Sequence, residues 1–260
     1  MAEQLVKLEE EGAGVVRILL NDPSSRNAMS AEMAAEFESA VTQVSARNDV
    51  RVVVLTGTGE AFSGGGHLNM LLEKTKLSKE KNRELMELFY SQFLSVRKLR
   101  CPGIAAINGH AVGAGLCLAL ACDIRIANNK AKLGLNFVHL GLHPGMGATY
   151  FLPRLIGPAR AAELLYAGQI ISAEQAAAIG LINKTLPPET FQNEVESLTR
   201  QIAGAGPQAV RALKESLRSS SEASLDACLQ REAYCQALDY TGREFLEGIS
   251  AAQEKRKPDF

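Results

Sequence analysis

The 260-residue chain has no charge excess of either sign, since 28 Lys and Arg stand against 29 Asp and Glu. No basic surplus points to nucleic acid and no polybasic run to a membrane surface, so any phosphate must be met by a local patch. No apolar run is long enough to span a bilayer. Met1 to Gly12 is acidic and shows neither a secretory apolar centre nor an Arg-rich transit pattern. The five cysteines, Cys101, Cys117, Cys122, Cys228 and Cys235, are odd in number and form no C-x-x-C pair. They fit reduced thiols in a cytoplasmic protein rather than a disulfide framework. Repeats, low-complexity tracts and linkers are missing as well, and the length suits a single α/β domain.

What is present is apolar residue in quantity, 46% of the chain, enough to bury a large core. Val15 to Leu20 reads as a strand and Asn21 to Ser25 as a turn. Ser30 caps a helix in which Met33, Phe37, Val41 and Val44 share a face. Arg51 to Thr56, Gly103 to Ile107 and Asp123 to Ala127 read as buried strands separated by helical segments at Ser78 to Leu99 and Leu116 to Ala121. That alternation predicts a parallel sheet with crossovers, whose ligands bind outside the carboxyl ends of the strands. Ser172 with Gln175 makes a capping box. Leu181 to Leu186 is strand-like, and helices then run to the C-terminus.

Two glycine-rich loops sit at the predicted strand ends. The first lies within Gly57 to Gly66 and ends Ala61-Phe62-Ser63-Gly64-Gly65-Gly66-His67-Leu68; the second is Asn108-Gly109-His110-Ala111-Val112-Gly113-Ala114-Gly115. Glycine lets successive N–H groups converge into a concave anion site, and a following helix start adds its positive dipole end. Two such loops can aim two amides at one oxygen, an arrangement that stabilises an enolate or tetrahedral alkoxide. Alone, either loop reads as a tight turn; it is the pairing that points to an anion hole. Neither matches a nucleotide-phosphate fingerprint.

Ala61 to Leu68 resembles the AFSAGxDL loop of the crotonase superfamily, the enoyl-CoA hydratase/isomerase family. Pro102 to Gly109, Cys122 to Ala127, Leu140 to Gly147 and Gly168 to Leu181 are similar to further blocks of that family, and Glu247 to Phe260 resembles its EGxxAFxEKRKPxF ending. The resemblance covers essentially the whole chain. It implies an α/β crotonase-like ββα superhelix: a twisted parallel sheet, a small second sheet and a helical C-terminal region. Residues 1–260 would be one domain, with a spiral core to about residue 200 and a C-terminal helical trimerisation lobe over about 201–260. It further implies an acyl-CoA substrate, no metal, no cofactor beyond the coenzyme A of the substrate, and homotrimers that often pair into hexamers. The oxyanion donors would be the N–H groups of Gly66 and Ala114. Arg26, Asn27, Ala28 and Gly64 would lie along CoA, and Lys255 would reach its phosphates from a neighbouring subunit or form part of a solvated basic tail.

The chain also departs from the family. Its hydratases flank the substrate double bond with two glutamates that hold and deliver a water. Here those positions fall at Cys117 and Phe137, and the loop aspartate is replaced by His67. His139 and His143 remain as candidate bases, since imidazole titrates near neutrality. His143 beside Pro144-Gly145 is expected to be the more structural of the two. Glu84 and Glu87 share a helical face with Tyr90 and Ser91 and could line the acyl pocket or form a solvated face. Cys117 could act as a nucleophile or be a packed thiol. The sequence therefore supports an acyl-CoA enzyme with an oxyanion hole that is not a standard hydratase. It leaves open a β-diketone or retro-Claisen carbon–carbon hydrolase using His139 or His143, and an acyl-CoA-binding protein without turnover.

Overall fold

The computed structural model describes residues 4–260. The chain runs β1 (Val6–Gly12), β2 (Val15–Leu20), α1 (Ala31–Ser45), β3 (Val52–Gly57), β4 (Ala61–Ser63), α2 (Leu68–Lys74), α3 (Lys79–Phe93), β5 (Gly103–Ile107), β6 (His110–Val112), α4 (Ala114–Leu120), β7 (Ile124–Asn128) and β8 (Lys132–Gly134). It continues through α5 (Ala148–Ile156), α6 (Pro158–Ala167), β9 (Ile170–Ser172), α7 (Ala173–Ala178), β10 (Lys184–Leu186), α8 (Pro188–Ala203), α9 (Pro207–Ser220), α10 (Leu225–Asp239) and α11 (Arg243–Glu254). The main sheet has the order β1-β2-β3-β5-β7-β10, and a smaller sheet the order β4-β6-β8-β9. From β2 to β10 the main sheet is parallel; β1 is an antiparallel edge. Each of β3, β5 and β7 is followed at once by a short strand of the small sheet, so both sheets grow together turn by turn.

Side-chain alternation explains why the main sheet is buried on both faces. Val16, Ile18, Leu20, Val53, Leu55, Ala105 and Ile107 point into one core with α1, α3 and α4. Val15, Val52, Val54, Ile104, Ala106 and Ile126 point into the other, against Phe191 and Val195 of α8. Ser30 caps α1 by accepting from the Met33 N–H at 3.2 Å, and Met33, Phe37, Val41 and Val44 are all buried. Phe37 meets Phe93 of α3 with ring centroids 5.4 Å apart. The Ser172–Gln175 capping box is formed in both directions.

Four expectations change. The two glycine loops each contain a three-residue strand, β4 and β6, too short to show a period in sequence. The acidic N-terminal stretch contributes β1, an edge strand whose outward residues remain charged and exposed. The helix expected over Ser78 to Leu99 ends at Phe93 and tightens into a 3-10 turn over Leu94–Lys98, while the strand at Leu181 to Leu186 is confined to Lys184–Leu186.

The C-terminal helices are held to the body by polar anchors. Lys214 of α9 meets Asp123 at 2.8 Å and also donates to the Cys101 carbonyl. Asp123 in turn accepts from the Gly103 N–H at 2.8 Å. Arg51 donates to the carbonyls of Ala203 and of Phe260.

Candidate active site

The glycine loops lie side by side because β4 and β6 are neighbours in the small sheet. The segment from Arg26 to Met29 holds the first loop in place. Gly64 N–H donates to the Arg26 carbonyl at 2.8 Å, Met29 N–H to Gly65 at 2.7 Å, and His67 N–H to Met29 at 3.0 Å. Asn27, fully buried, donates its side-chain amide to Thr58 and Ala61 carbonyls. The second loop is fixed by Gly113 N–H donating to the Gly134 carbonyl at 2.8 Å. Gly65 has φ +91°, and a methyl group there would lie 2.7 Å from the Val112 carbonyl oxygen and 3.6 Å from the Ala114 nitrogen. Only glycine permits that approach of one loop to the other. The flanking bonds at Gly65 and His67 leave the Gly66 N–H turned the other way, and Ala114 is the first residue of α4, whose N–H has no intrahelical acceptor.

Both residues line one cavity of about 460 Å³. Its polar lining consists of Lys74, Asn82, Tyr90, Asn136 and His143; the rest is glycine-loop backbone and apolar side chains, including Met70, Met86, Phe89, Phe137 and Met146. A larger groove, about 600 Å³, runs between α8 and α9, but it ends on the Lys214–Asp123 pair and contains no glycine-loop residue.

Of the residues expected from sequence, the structure brings Gly64, Gly66, Ala114, Phe137 and His143 to the cavity. Arg26 and Ala28 lie behind the first loop, Arg26 exposed and bonded through its carbonyl to Gly64. Lys255 ends α11 in a left-handed conformation, is exposed, and does not line this cavity within the subunit.

Three candidates are turned elsewhere. His139 donates from Nε2 to the Ala167 carbonyl at 3.0 Å and is packed against Gly168, so its ring supports the α6 end rather than the cavity. Glu87 lies on the solvent side of α3, 3.9 Å from Arg83, as Glu84 does with Lys81. The face of α3 that turns inward is Asn82, Met86, Phe89 and Tyr90, at the helical spacing i, i+4, i+7, i+8. Cys117 is fully buried, its Sγ directed at the Gly145 carbonyl at 3.5 Å, and burial pushes the thiol far above its ordinary pKa. A thiol so held stays protonated and is no nucleophile.

The order expected of the two histidines is thus reversed. His143 does hold its turn, with Nδ1 2.8 Å from the Pro144 carbonyl, yet it also faces the cavity from the exposed rim. Because a carbonyl only accepts, Nδ1 carries the hydrogen and Nε2 keeps its lone pair in the neutral ring. Tyr90, Asn136, Lys74 and Asn82 were not selected as site residues from sequence. For Tyr90 and Asn82 the helical period of α3 was the available signal. Asn136 and Lys74 carry no pattern of their own. Burial lowers the Lys74 pKa and, together with the nearby Cys117 thiol, raises that of Tyr90.

Two glycine loops beside an apolar cavity in a two-sheet fold describe the site, and comparison with known proteins gives it a family. The enoyl-CoA hydratase/isomerase family model matches residues 10–260. A crotonyl-CoA hydratase of Syntrophomonas wolfei is 36% identical over 261 residues, covering 100% of this chain and 99% of that protein. A 2,3-dehydroadipyl-CoA hydratase of Escherichia coli is 34% identical, with 100% and 99% covered. The crystal structure of an enoyl-CoA hydratase from Bacillus anthracis superposes with a TM-score of 0.93 at 36% identity, over 99% of each chain. The chain belongs to the enoyl-CoA hydratase/isomerase family.

Proposed function

We propose that this protein is a crotonase-type enzyme that binds an acyl-CoA thioester with its carbonyl oxygen between the N–H groups of Gly66 and Ala114, and that it does not run ordinary enoyl hydration. The observation that carries this reading is what stands at the two positions where family hydratases place carboxylates: a thiol buried outside the cavity at Cys117 and a phenyl ring on its lining at Phe137. Two free amides on one cavity support stabilisation of developing negative charge, a term usually worth about 10²–10³ in rate per donor. Neither Cys117 nor Phe137 can deprotonate a water. In this reading Gly64 and the Arg26–Ala28 segment flank the CoA moiety, coenzyme A enters only as part of the substrate, and the enzyme works in the cytoplasm.

The test is hydration of crotonyl-CoA followed by loss of its enoyl-thioester absorbance. Loss of a positioned proton-transfer group costs about 10²–10⁴-fold, so turnover is expected at least about a hundredfold below that of a hydratase with both carboxylates. Ordinary hydratase speed would refute the reading. A second reading is favoured by one observation, the place of His143 on the cavity lining with its Nδ1 held by the Pro144 carbonyl. It is a hydrolase cleaving a carbon–carbon bond of a β-diketone, with His143 taking the proton of the attacking water. Binding of free CoA separates the two, since the diketone hydrolase has no need of it.

A further inference from the structure

We propose that Tyr90 is the specificity-determining donor of the acyl pocket: its hydroxyl bonds an oxygen carried on the β-carbon of the acyl group, so the site selects 3-oxoacyl thioesters over plain acyl thioesters. This rests on the acyl-CoA reading above and names the substrate class within it.

The argument starts from where the hydroxyl stands. Tyr90 lies on the inward face of α3, its ring 6.4 Å from that of Phe89, and lines the cavity. A methyl group on Gly145 would collide with the Tyr90 hydroxyl and approach its Cζ to 2.8 Å, so the phenol end rests directly on the Gly145 backbone. The carbonyl of the same Gly145 receives Cys117 Sγ. The hydroxyl therefore stands beside position 117, the position from which family hydratases present a carboxylate to the substrate double bond.

Among the described residues the hydroxyl of half-buried Tyr90 has no hydrogen-bond partner, and it is not sealed from solvent, so it is open to an acceptor on a ligand in the cavity. Burial and the adjacent thiol hold its pKa above the ordinary value, so it is a donor throughout the neutral range. Three of its neighbours offer no base: Cys117 is protonated, Phe137 is apolar, and Met146 follows Gly145 as a buried thioether. A phenol that is protonated itself does not activate water. It does fit a ligand oxygen that needs no deprotonation. With the thioester carbonyl on the glycine-loop amides, the β-carbon is two bonds further along the chain, toward positions 117 and 137. A keto oxygen there only accepts and matches a group that only has to give.

The experiment measures Kd of the full chain for butyryl-CoA and acetoacetyl-CoA at neutral pH, in the wild type and in Tyr90→Phe. If acetoacetyl-CoA is consumed, KM replaces Kd. One net hydrogen bond is expected to favour acetoacetyl-CoA by about fivefold. Tyr90→Phe should erase most of that preference and leave butyryl-CoA binding unchanged. Equal affinities in the wild type, or a preference that survives in the variant, overturn the proposal. A variant that loses butyryl-CoA as well makes Tyr90 a packing residue and also overturns it. If neither thioester binds the wild type, the acyl-CoA reading itself falls; if butyryl-CoA binds without the preference, only the Tyr90 assignment does.

Discussion

On the proposed reading Ala114 acts through its N–H, while its small side chain is packed in the core. It is the first residue of α4, a position where proline is tolerated because the N–H has no helical acceptor. Gly113 before it has φ +56° and ψ −125°, a conformation that glycine adopts without a steric clash against a following proline ring. Ala114→Pro should therefore leave the fold intact and remove one amide. On the proposed reading it lowers turnover of an acyl-CoA substrate by about 10²–10³, while Ala114→Gly costs little; equal rates in the two variants would remove Ala114 from the site. At this same scale the sequence left His139 and Glu87 open between a role in the site and a place outside it. Their chemistry was suitable, but a single residue's type does not say which way its ring or carboxylate turns. A backbone acceptor at Ala167 decides the first, and a solvent-facing position on α3 the second.

Among the elements, α1 and the capping box of α7 were legible because their signals are local: a hydroxyl at the cap, a polar side chain three residues on, and apolar residues at helical period. The strands β4 and β6 were not, since three residues carry no period. They form only because β3 and β5 deliver them side by side. The anchoring of α9 was equally invisible, for it joins Lys214 to Asp123 across 91 residues of chain. Lys214 is buried, and burial lowers its pKa against the opposing pull of Asp123. Breaking a buried pair from one side typically costs 3–5 kcal/mol, roughly the lower end where another cation stays close, as Arg218 does here at 3.6 Å. Lys214→Ala is therefore expected to reduce the unfolding free energy by about 3 kcal/mol in urea titration. A loss below about 1 kcal/mol, the scale of an exposed pair, would show that the pair does not hold α9.

For the molecule as a whole, the outer helices leave apolar surface uncovered. Leu213 and Leu217 of α9, and Leu225, Leu229, Tyr234 and Leu238 of α10, are all more than half exposed. So many exposed large apolar side chains on two successive helices suit an interaction face. Following the family resemblance, we expect a homotrimer or a pair of trimers through residues 201–260, detected by sedimentation equilibrium, with Leu229→Glu shifting the population toward monomer. A monomeric wild type at micromolar concentration would contradict this. If the neighbouring subunit's tail reaches the CoA, Lys255→Ala should weaken CoA-thioester binding in the assembled protein. The sequence by itself determined the parallel sheet, both glycine loops and the loss of two carboxylates, because each is written in contiguous residues whose type alone restricts what the backbone or the chemistry can do. Only the tertiary structure decided that His143 rather than His139 faces the cavity, that α3 presents Tyr90 rather than Glu87, and that Cys117 is sealed beneath Gly145. Those outcomes depend on the direction of side chains fixed by packing between elements far apart in the chain, and no local pattern encodes that direction.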